Sequence, residues 1–284
     1  MIKAIVTDVD GVIIGNKDGF NFPTPSIKVS QALQSVNKKI PVVLCTAKVS
    51  FAIEHIIKDL KLENPHIGDG GALIFDAMQD KIITRHVLDN TVAKNIISFC
   101  CAHKLHISAH TVNTLFIDKS HNAHITEKRK RILGRDLEVV EELSSHIDPH
   151  EIIKLTVTLQ NENEKSIFLK NIEPYMNDIH LIFSHHPITV PWEYAIISAK
   201  GISKASASKE VAKSLNISME EVLGIGDGIS DWIFMKECGY VGVVGETSNE
   251  LIELSKTKGE GNYCNAQSVD QDGMVEILKY FKLL

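Results

Sequence analysis

The sequence predicts an α/β protein, in which a parallel sheet with flanking helices is interrupted by an inserted α+β domain. Short apolar segments alternate with helical patterns near both ends of the chain, which is typical of parallel strands joined by helices. In the middle of the chain, strands of mixed polarity such as 153–159 replace those buried segments. The 284 residues suffice for two units, which we place at 1–81 with 189–284 and at 82–188.

The first part of the core has the order strand, helix, strand. The apolar residues 2–7 predict a short buried strand, residues 26–36 a helix, and residues 40–45 a second strand. A helix over 51–60 and a third short strand at 66–67 follow. This order predicts neighbouring parallel strands whose carboxyl ends share one edge of the sheet.

The inserted segment carries a different pattern from about residue 82. Its clearest strand is 153–159, whose strict alternation puts the polar side chains on one face, namely Lys154, Thr156 and Thr158. We therefore predict an antiparallel sheet with this face in contact with water. The other elements predicted in the middle of the chain lie at 88–103, 105–110, 114–118, 162–175, 180–183 and 190–198.

Buried-strand character returns after Lys200. The sequence predicts a helix over 203–215, a hydrophobic strand over 222–226, a further strand at 241–244 and a terminal helix over 272–281. These elements complete the parallel sheet, so the core is formed from both ends of the chain.

Charge and composition exclude several classes of protein. Thirty basic and thirty-six acidic residues give a net charge of -6, so no overall positive field would attract nucleic acid or an anionic membrane. No apolar run approaches the roughly 18 residues that cross a bilayer, and the first residues reach a charge too early for a signal peptide. The five cysteines form no CxxC pair, which is typical of reduced thiols. We expect a cytoplasmic protein, whose oligomeric state the sequence leaves open.

Chemically active side chains follow the predicted strands or open the helices after them. Asp8 and Asp10 follow the first strand, Thr46 ends the second, and Asp227 ends the strand at 222–226, while Lys204 lies near a helix start. Because ligands in open α/β sheets bind at the carboxyl ends of the strands, we expect these side chains to meet in one crevice.

Two kinds of ligand group are represented in this set. Asp8 and Asp10 repel each other unless a cation or a proton relieves them, and Asp227 and Asp231 are spaced to share one face of a helix that opens there. Mg²⁺ prefers such hard oxygen ligands. Thr46 offers a hydroxyl and nearby backbone N–H groups at a helix start, and Lys204 adds a positive charge. Carboxylates for a cation, together with donors for an anion, indicate phosphoryl transfer.

These residues resemble the haloacid dehalogenase superfamily of phosphatases, and in particular its Cof-type members with a type IIB cap. Four segments carry the resemblance in chain order, namely Asp8-Val9-Asp10-Gly11-Val12, Thr46, Lys200-Gly201-Ile202-Ser203-Lys204 and Gly226-Asp227-Gly228-Ile229-Ser230-Asp231. The resemblance implies a Rossmann-like core over 1–81 and 189–284, with an α+β cap over 82–188 that closes over the crevice and selects the substrate.

The resemblance also implies a role for each site residue. Asp8 would be the nucleophile and form an aspartyl-phosphate, and Asp10 would be the general acid and base. Thr46, Ala47 and Lys204 would bind the phosphoryl oxygens. The expected substrate is a small phosphomonoester, with sugar phosphates the usual substrates of such members.

The implied cofactor is Mg²⁺. It would be held by the side chain of Asp8, the backbone carbonyl of Asp10 and Asp227, with Asp231 in support. No nucleic-acid or membrane partner is expected.

Several positions depart from the commonest pattern of the family. Val12 stands where threonine is frequent, Ala47 and Lys48 where glycine and arginine are, and Gly70 and Ser230 where asparagine is. None of these changes removes a group with a direct chemical role, although weaker support of the metal site can cost about 10–100-fold in affinity or activity.

Four alternatives remain open from the sequence. The protein could be a phosphomutase, which returns the phosphoryl group to a second hydroxyl, or a sensor that binds a sugar phosphate without turnover. Lys200 is the alternative to Lys204 as the phosphate ligand. His185 and His186 follow a strand of the inserted segment, where a loop could contact substrate.

Overall fold

A computed structural model of the protein describes residues 1–133, 136–185, 191–245 and 247–284. The chain forms two compact units: a core unit of Met1–Ile83 with Lys204–Leu284, and an inserted unit of Thr84–Ser203. The predicted fold class is confirmed. The boundary we placed between residues 188 and 189 lies outside the described residues.

Strands and helices occur in both units. The strands are β1 (Ala4–Thr7), β2 (Val42–Leu44), β3 (His66–Gly68), β4 (Leu73–Asp76), β5 (Lys81–Arg85), β6 (His106–His110), β7 (Leu115–Asp118), β8 (Glu138–Val140), β9 (Lys154–Leu159), β10 (Ile179–His185), β11 (Glu193–Ala199), β12 (Val222–Gly226), β13 (Tyr240–Val244) and β14 (Tyr263–Ala266). The helices are α1 (Ile27–Asn37), α2 (Glu54–Leu60), α3 (Asn90–Ala102), α4 (Ala123–Leu133), α5 (Leu143–His146), α6 (Glu162–Ile172), α7 (Lys204–Ser214), α8 (Trp232–Met235), α9 (Asn249–Lys256) and α10 (Gly273–Tyr280). None of these described helices has the length and apolar character needed to cross a bilayer.

The core unit contains a five-stranded parallel sheet in the order β14-β13-β12-β1-β2. Its strand β1 places Thr7 opposite Ile225 on one side and Leu44 on the other, so the carboxyl ends of three strands are level. All four residues of β1 are buried, as expected of a parallel strand covered on both faces.

Helices cover both faces of this sheet. On one face, Val6 belongs to an apolar cluster with Ala207 of α7 and Phe234 of α8. On the other, Gly242 of β13 leaves room for Ile277 of α10, whose side chain comes within 2.8 Å of the position that a Cβ would occupy. The sheet with two helical layers is the predicted core architecture.

The inserted unit contains a six-stranded sheet in the order β10-β11-β9-β6-β7-β8. Its pairs are antiparallel except for β7 with β8. Since β11 pairs with both β9 and β10, residues 193–199 belong to this unit, and the core unit resumes only at Lys204. One face of the sheet packs its apolar side chains, including Leu155 and Val157, against α3, α5 and α6.

The opposite face of the inserted sheet is polar but not wet. The prediction that Lys154, Thr156 and Thr158 contact water is wrong, because all three are buried. Helix α4, which the sequence pattern did not reveal, covers part of this face and contacts it through Thr126 and Arg129. A polar face is therefore enclosed within the unit.

Candidate active site

Asp8 stands at the carboxyl end of β1. Its N–H donates to the Ile225 carbonyl at 2.8 Å, so the ladder to β12 continues one residue beyond the strand. The Thr7 hydroxyl donates to the Asp8 carbonyl at 2.9 Å, and the chain then turns at Gly11, whose φ is +78°. The Asp8 side chain is buried at this edge of the sheet.

Lys204 joins Asp8 to Asp231. Its ammonium Nζ donates to Asp8 Oδ1 at 2.8 Å and to Asp231 Oδ1 at 2.7 Å, and all three side chains are buried. Lys204 is the first residue of α7, as expected of a residue near a helix start. Lys200, the alternative to it, is exposed.

A tight turn, rather than a helix face, brings Asp227 and Asp231 together. The prediction that a helix opens at Asp227 is wrong: α8 begins at Trp232, and a turn over 227–231 precedes it. Asp231 Oδ2 closes this turn by accepting the N–H groups of Asp227 at 3.2 Å and Gly228 at 3.3 Å. The Thr247 hydroxyl, which the sequence did not single out, donates to the Asp227 carbonyl at 2.8 Å.

Three carboxylates converge around this point. Asp8, Asp227 and Asp231 each offer one oxygen, and these atoms lie within 4.8 Å of one another. Gly11 permits the approach, because a Cβ there would lie 1.9 Å from Asp227 Oδ2. The spacing and the hard oxygen donors fit a divalent cation such as Mg²⁺.

The electrostatics of the cluster also fit a cation. Burial raises the pKa of Asp8 to about 7, with the neighbouring Asp231 carboxylate contributing to the rise. Burial likewise raises the pKa of Asp227 to about 8, again with repulsion from Asp231. Buried carboxylates in contact hold their charge only when positive charge balances them, and Lys204 supplies a single unit. A divalent ion would supply the remainder.

Asp10 lies beside this cluster and pairs with Lys48. Lys48 Nζ is 2.7 Å from Asp10 Oδ1, and the Asp10 side chain is 31% exposed, in contrast to buried Asp8. Repulsion from Asp10 contributes to the raised pKa of Asp8, so the two carboxyl groups are neighbours. The pairing of Lys48 was not predicted, because the sequence places Lys48 near Thr46 but gives no sign of what its amine contacts.

Thr46 lies in the loop that follows β2. The expected helix start at Thr46 is wrong, since α2 begins only at Glu54. The buried Thr46 hydroxyl accepts the N–H of Lys48 at 3.1 Å, and half-buried Ala47 lies between them. The Thr46 carbonyl accepts the N–H of Gly70 at 3.0 Å. A hydroxyl and loop N–H groups are thus held at the same sheet edge.

Two of the residues that depart from the commonest family pattern, Gly70 and Val12, suit their positions in the structure. Gly70 has a φ of +71°, a region that both glycine and asparagine tolerate, so glycine can stand where asparagine is frequent. Val12 is fully buried. His186 lies outside the described residues.

The sequence is similar to a known protein family and to known phosphatases. The model of the haloacid dehalogenase-like hydrolase family matches residues 5–277. The 5-amino-6-(5-phospho-D-ribitylamino)uracil phosphatase YcsE of Bacillus subtilis is 21% identical over 283 residues, which cover 99% of this chain and 96% of that protein. The phosphoglycolate phosphatase of Staphylothermus marinus is 21% identical over 265 residues, covering 92% and 94% of the two chains.

Solved structures share the fold along the whole chain. A haloacid dehalogenase-like hydrolase from Bacteroides thetaiotaomicron superposes with a TM-score of 0.81 at 17% identity, covering 98% of this chain and 99% of that one. A sugar phosphatase of subclass IIB superposes with a TM-score of 0.79 at 18% identity, covering 99% and 100%. At these identities the likeness concerns the fold.

Proposed function

Because this chain belongs to the haloacid dehalogenase-like hydrolase family and is a phosphatase of that superfamily, we propose that it hydrolyses a small phosphomonoester through an aspartyl-phosphate on Asp8. The observation that carries the proposal is the buried contact of Lys204 with both Asp8 and Asp231, beside Asp227. It combines a carboxylate nucleophile, a phosphate-binding ammonium and a cation site within one cluster.

In the first half of the reaction, Asp8 attacks the substrate. A carboxylate oxygen of Asp8 forms a bond to phosphorus while the bond from phosphorus to the ester oxygen breaks. Asp10 donates a proton to that oxygen, which leaves as an alcohol. Its greater exposure lets the Asp10 side chain face an incoming substrate, and its contact with Lys48 holds it in one orientation.

In the second half, water releases the phosphoryl group. Asp10, now a carboxylate, takes a proton from the attacking water as the new oxygen–phosphorus bond forms. The bond between phosphorus and Asp8 breaks, which yields inorganic phosphate and returns Asp8 to its carboxylate form. The same two side chains therefore serve both halves.

Donors around Asp8 would hold the phosphoryl oxygens. The Lys204 ammonium lies 2.8 Å from Asp8 Oδ1, so a phosphoryl group at that oxygen would be within reach of its charge. The Thr46 hydroxyl and the loop N–H of Ala47 would bind from the neighbouring strand end. Fixed donors of this kind stabilise the charge that develops on the transferring group.

Mg²⁺ is the cofactor that the carboxylate set would hold. Asp8, Asp227 and Asp231 are the side-chain ligands available, and the Asp10 carbonyl is the backbone candidate. When bound, a divalent ion balances the carboxylates and the phosphoryl charge. For the substrate we propose a sugar phosphate, in keeping with the subclass IIB sugar phosphatase that shares the fold.

Phosphate release from a panel of sugar phosphates and other phosphomonoesters, with and without Mg²⁺, tests the proposal. We expect turnover of at least one substrate, with loss of turnover in Asp8→Asn and after treatment with EDTA. Asp80→Asn is the matched control, because Asp80 is exposed and has a φ of 50° that asparagine tolerates.

The products separate this function from its alternatives. Free phosphate and alcohol in equal amounts support hydrolysis, whereas an isomerised sugar phosphate with little free phosphate identifies a mutase. Equal turnover by Asp8→Asn and its parent would remove Asp8 as the nucleophile. Ligand-dependent stabilisation without any turnover would identify a sensor.

A further inference from the structure

Helix α4 of the inserted unit buries a positive charge that has no negative partner. Arg129 is 5% exposed. Its Nη1 makes a long hydrogen bond of 3.4 Å to the Thr158 hydroxyl, and its guanidinium carbon lies 5.7 Å from the centre of the Tyr194 ring. Within the described part of the chain, no carboxylate pairs with this guanidinium. The positions of this unit that are not described, 134–135 and 186–190, include no Asp or Glu in the sequence.

Two histidines beside Arg129 have ring nitrogens with unmet hydrogen-bonding capacity. His106 is 2% exposed; its Nε2 lies 3.3 Å from the Thr126 hydroxyl, while its Nδ1 has no partner among the described residues. The His121 ring stacks on it at 4.6 Å, and both of its nitrogens are buried without a described partner. His121 as a whole is half-buried.

The protonation state of these histidines decides which ring nitrogens are donors and which are acceptors. Burial, with the nearby charge of Arg129, lowers the pKa of His106 to about 2, and burial lowers that of His121 to about 4. At neutral pH each ring is therefore uncharged and carries one N–H. The Thr126 hydroxyl donates to the Asn122 carbonyl at 3.2 Å, so it accepts the N–H of His106 Nε2, and the Nδ1 of His106 is an acceptor, matched to the P–OH of a hydrogen phosphate. The N–H of His121 has no described partner. Asp118, an acid near His121, is already engaged, because its oxygens accept hydrogen bonds from Ser120 and from the N–H of Leu143.

The chemistry of the cluster selects an anion. A cation would be repelled by Arg129, and no group of metal-ligating side chains occurs at this place among the described residues. The guanidinium presents a planar fork of N–H donors that matches a phosphate or carboxylate. The Thr158 hydroxyl contacts it, and both His106 and His121 lie close enough for its charge to lower their pKa values.

We propose that Arg129, His106 and His121, between α4 and the polar face of the inserted sheet, form a binding site for a phosphate oxyanion. The occupant is either inorganic phosphate or the phosphate group of an organic ester. The site shares no residue with the carboxylate cluster of the core unit, and the proposal does not depend on the proposed function.

An arginine that serves to bind a ligand and one that stabilises the fold have opposite effects on the free energy of unfolding. A buried charge without a partner opposes folding, and replacing it with an apolar side chain of similar length removes that cost. We therefore expect Arg129→Met to raise the urea midpoint of the full-length protein in phosphate-free buffer. A structural arginine predicts a lower midpoint.

Tryptophan fluorescence gives a readout confined to this unit. The chain has two tryptophans, and Trp192 lies beside α4, with Lys128 4.4 Å from its ring centre and His124 packed edge-on at 6.2 Å. In a Trp232→Phe parent, Trp192 is the sole reporter. The parent is titrated with sodium phosphate in EDTA at constant ionic strength, and in a second arm with methylphosphonate, which has no ester bond to hydrolyse.

We expect a saturable change in Trp192 fluorescence, weakened about tenfold or more by Arg129→Met. Lys128→Met, which removes a neighbouring charge from the same helix, is expected to bind within about twofold of the parent. Tighter binding of phosphate than of methylphosphonate identifies the free ion as the occupant, and the reverse identifies a phosphate ester. Absence of a saturable change in both arms, or equal binding by Arg129→Met, overturns the proposal.

Discussion

Substitution of Gly11 by alanine perturbs the carboxylate cluster from the backbone side. The added Cβ would lie 1.9 Å from Asp227 Oδ2, whereas ordinary van der Waals contact begins at 3.4 Å. The Asp227 carboxylate must therefore move by more than 1 Å to clear it. Functional groups need placement within about 0.5 Å, and a misplacement of about 1 Å can cost about 100-fold in rate.

We expect Gly11→Ala to require about 10–100-fold more Mg²⁺ for half-maximal phosphate release, because the displaced carboxylate supports the ion poorly. Calorimetric titration of the substrate-free protein with Mg²⁺ measures the same weakening without turnover. Gly19→Ala is the matched control: its φ of +73° resembles the +78° of Gly11, but a Cβ there meets no atom within 4 Å.

The control separates the collision from the backbone cost. Both substitutions place alanine in the left-handed region, which we expect to cost about 1 kcal/mol of unfolding free energy in each variant. Only Gly11→Ala is expected to change the Mg²⁺ requirement. If Gly11→Ala binds Mg²⁺ as tightly as Gly19→Ala and the parent do, the close approach of Gly11 to Asp227 does not hold a Mg²⁺ ligand in place.

Other contacts lead to three more expected outcomes. Lys48→Met removes the 2.7 Å contact that holds Asp10 in one orientation. We expect it to lower kcat by about tenfold or more with KM little changed, and we expect Lys48→Arg to restore most of the rate. An unchanged kcat in Lys48→Met would show that Lys48 does not position Asp10. Burial lowers the pKa of His66 to about 4, and its Nδ1 accepts the N–H of Leu44 at 3.1 Å. In the unfolded chain the His66 ring binds a proton at about pH 6.5, whereas in the native protein it does so only near pH 4. The free energy of unfolding therefore falls by about 3 kcal/mol as the pH drops from 6.5 to 4. Urea unfolding of His66→Gln at several pH values should show a shallower fall. Phe168 of the inserted unit is fully buried, so Phe168→Ala should lower the unfolding free energy by about 3–5 kcal/mol, and a loss under about 1 kcal/mol would show that its pocket collapses freely.

The parallel core could be predicted, and is confirmed, because the pattern that indicates it lies in residues adjacent along the chain. Residues 2–7, 40–45 and 222–226 are short apolar runs whose burial on both faces requires no knowledge of their partners. Polar elements were harder to recognise. Helix α4 has five consecutive charged residues at 127–131, so no apolar stripe revealed it. The prediction that one face of β9 contacts water followed from that omission.

The site was predicted as a set of residues but not as a geometry. We expected Asp8, Asp227 and Lys204 to lie together because each follows a strand or opens a helix, and parallel strands bring such positions to one edge. The turn at 227–231 was mistaken for a helix, since a spacing of four residues fits both. Which oxygens meet depends on hydrogen bonds that the spacing does not encode.

The sequence by itself determined the alternation of buried segments, the family, and the side chains that carry charge at strand ends, because these depend on residues adjacent along the chain. The tertiary structure decided which charges are balanced. Lys204 forms ion pairs with Asp8 and Asp231, and Lys48 forms one with Asp10. Arg129 is buried and pairs with no acid among the described residues. Burial and distance set the energy of a charge, and both arise only when segments far apart in the sequence pack together.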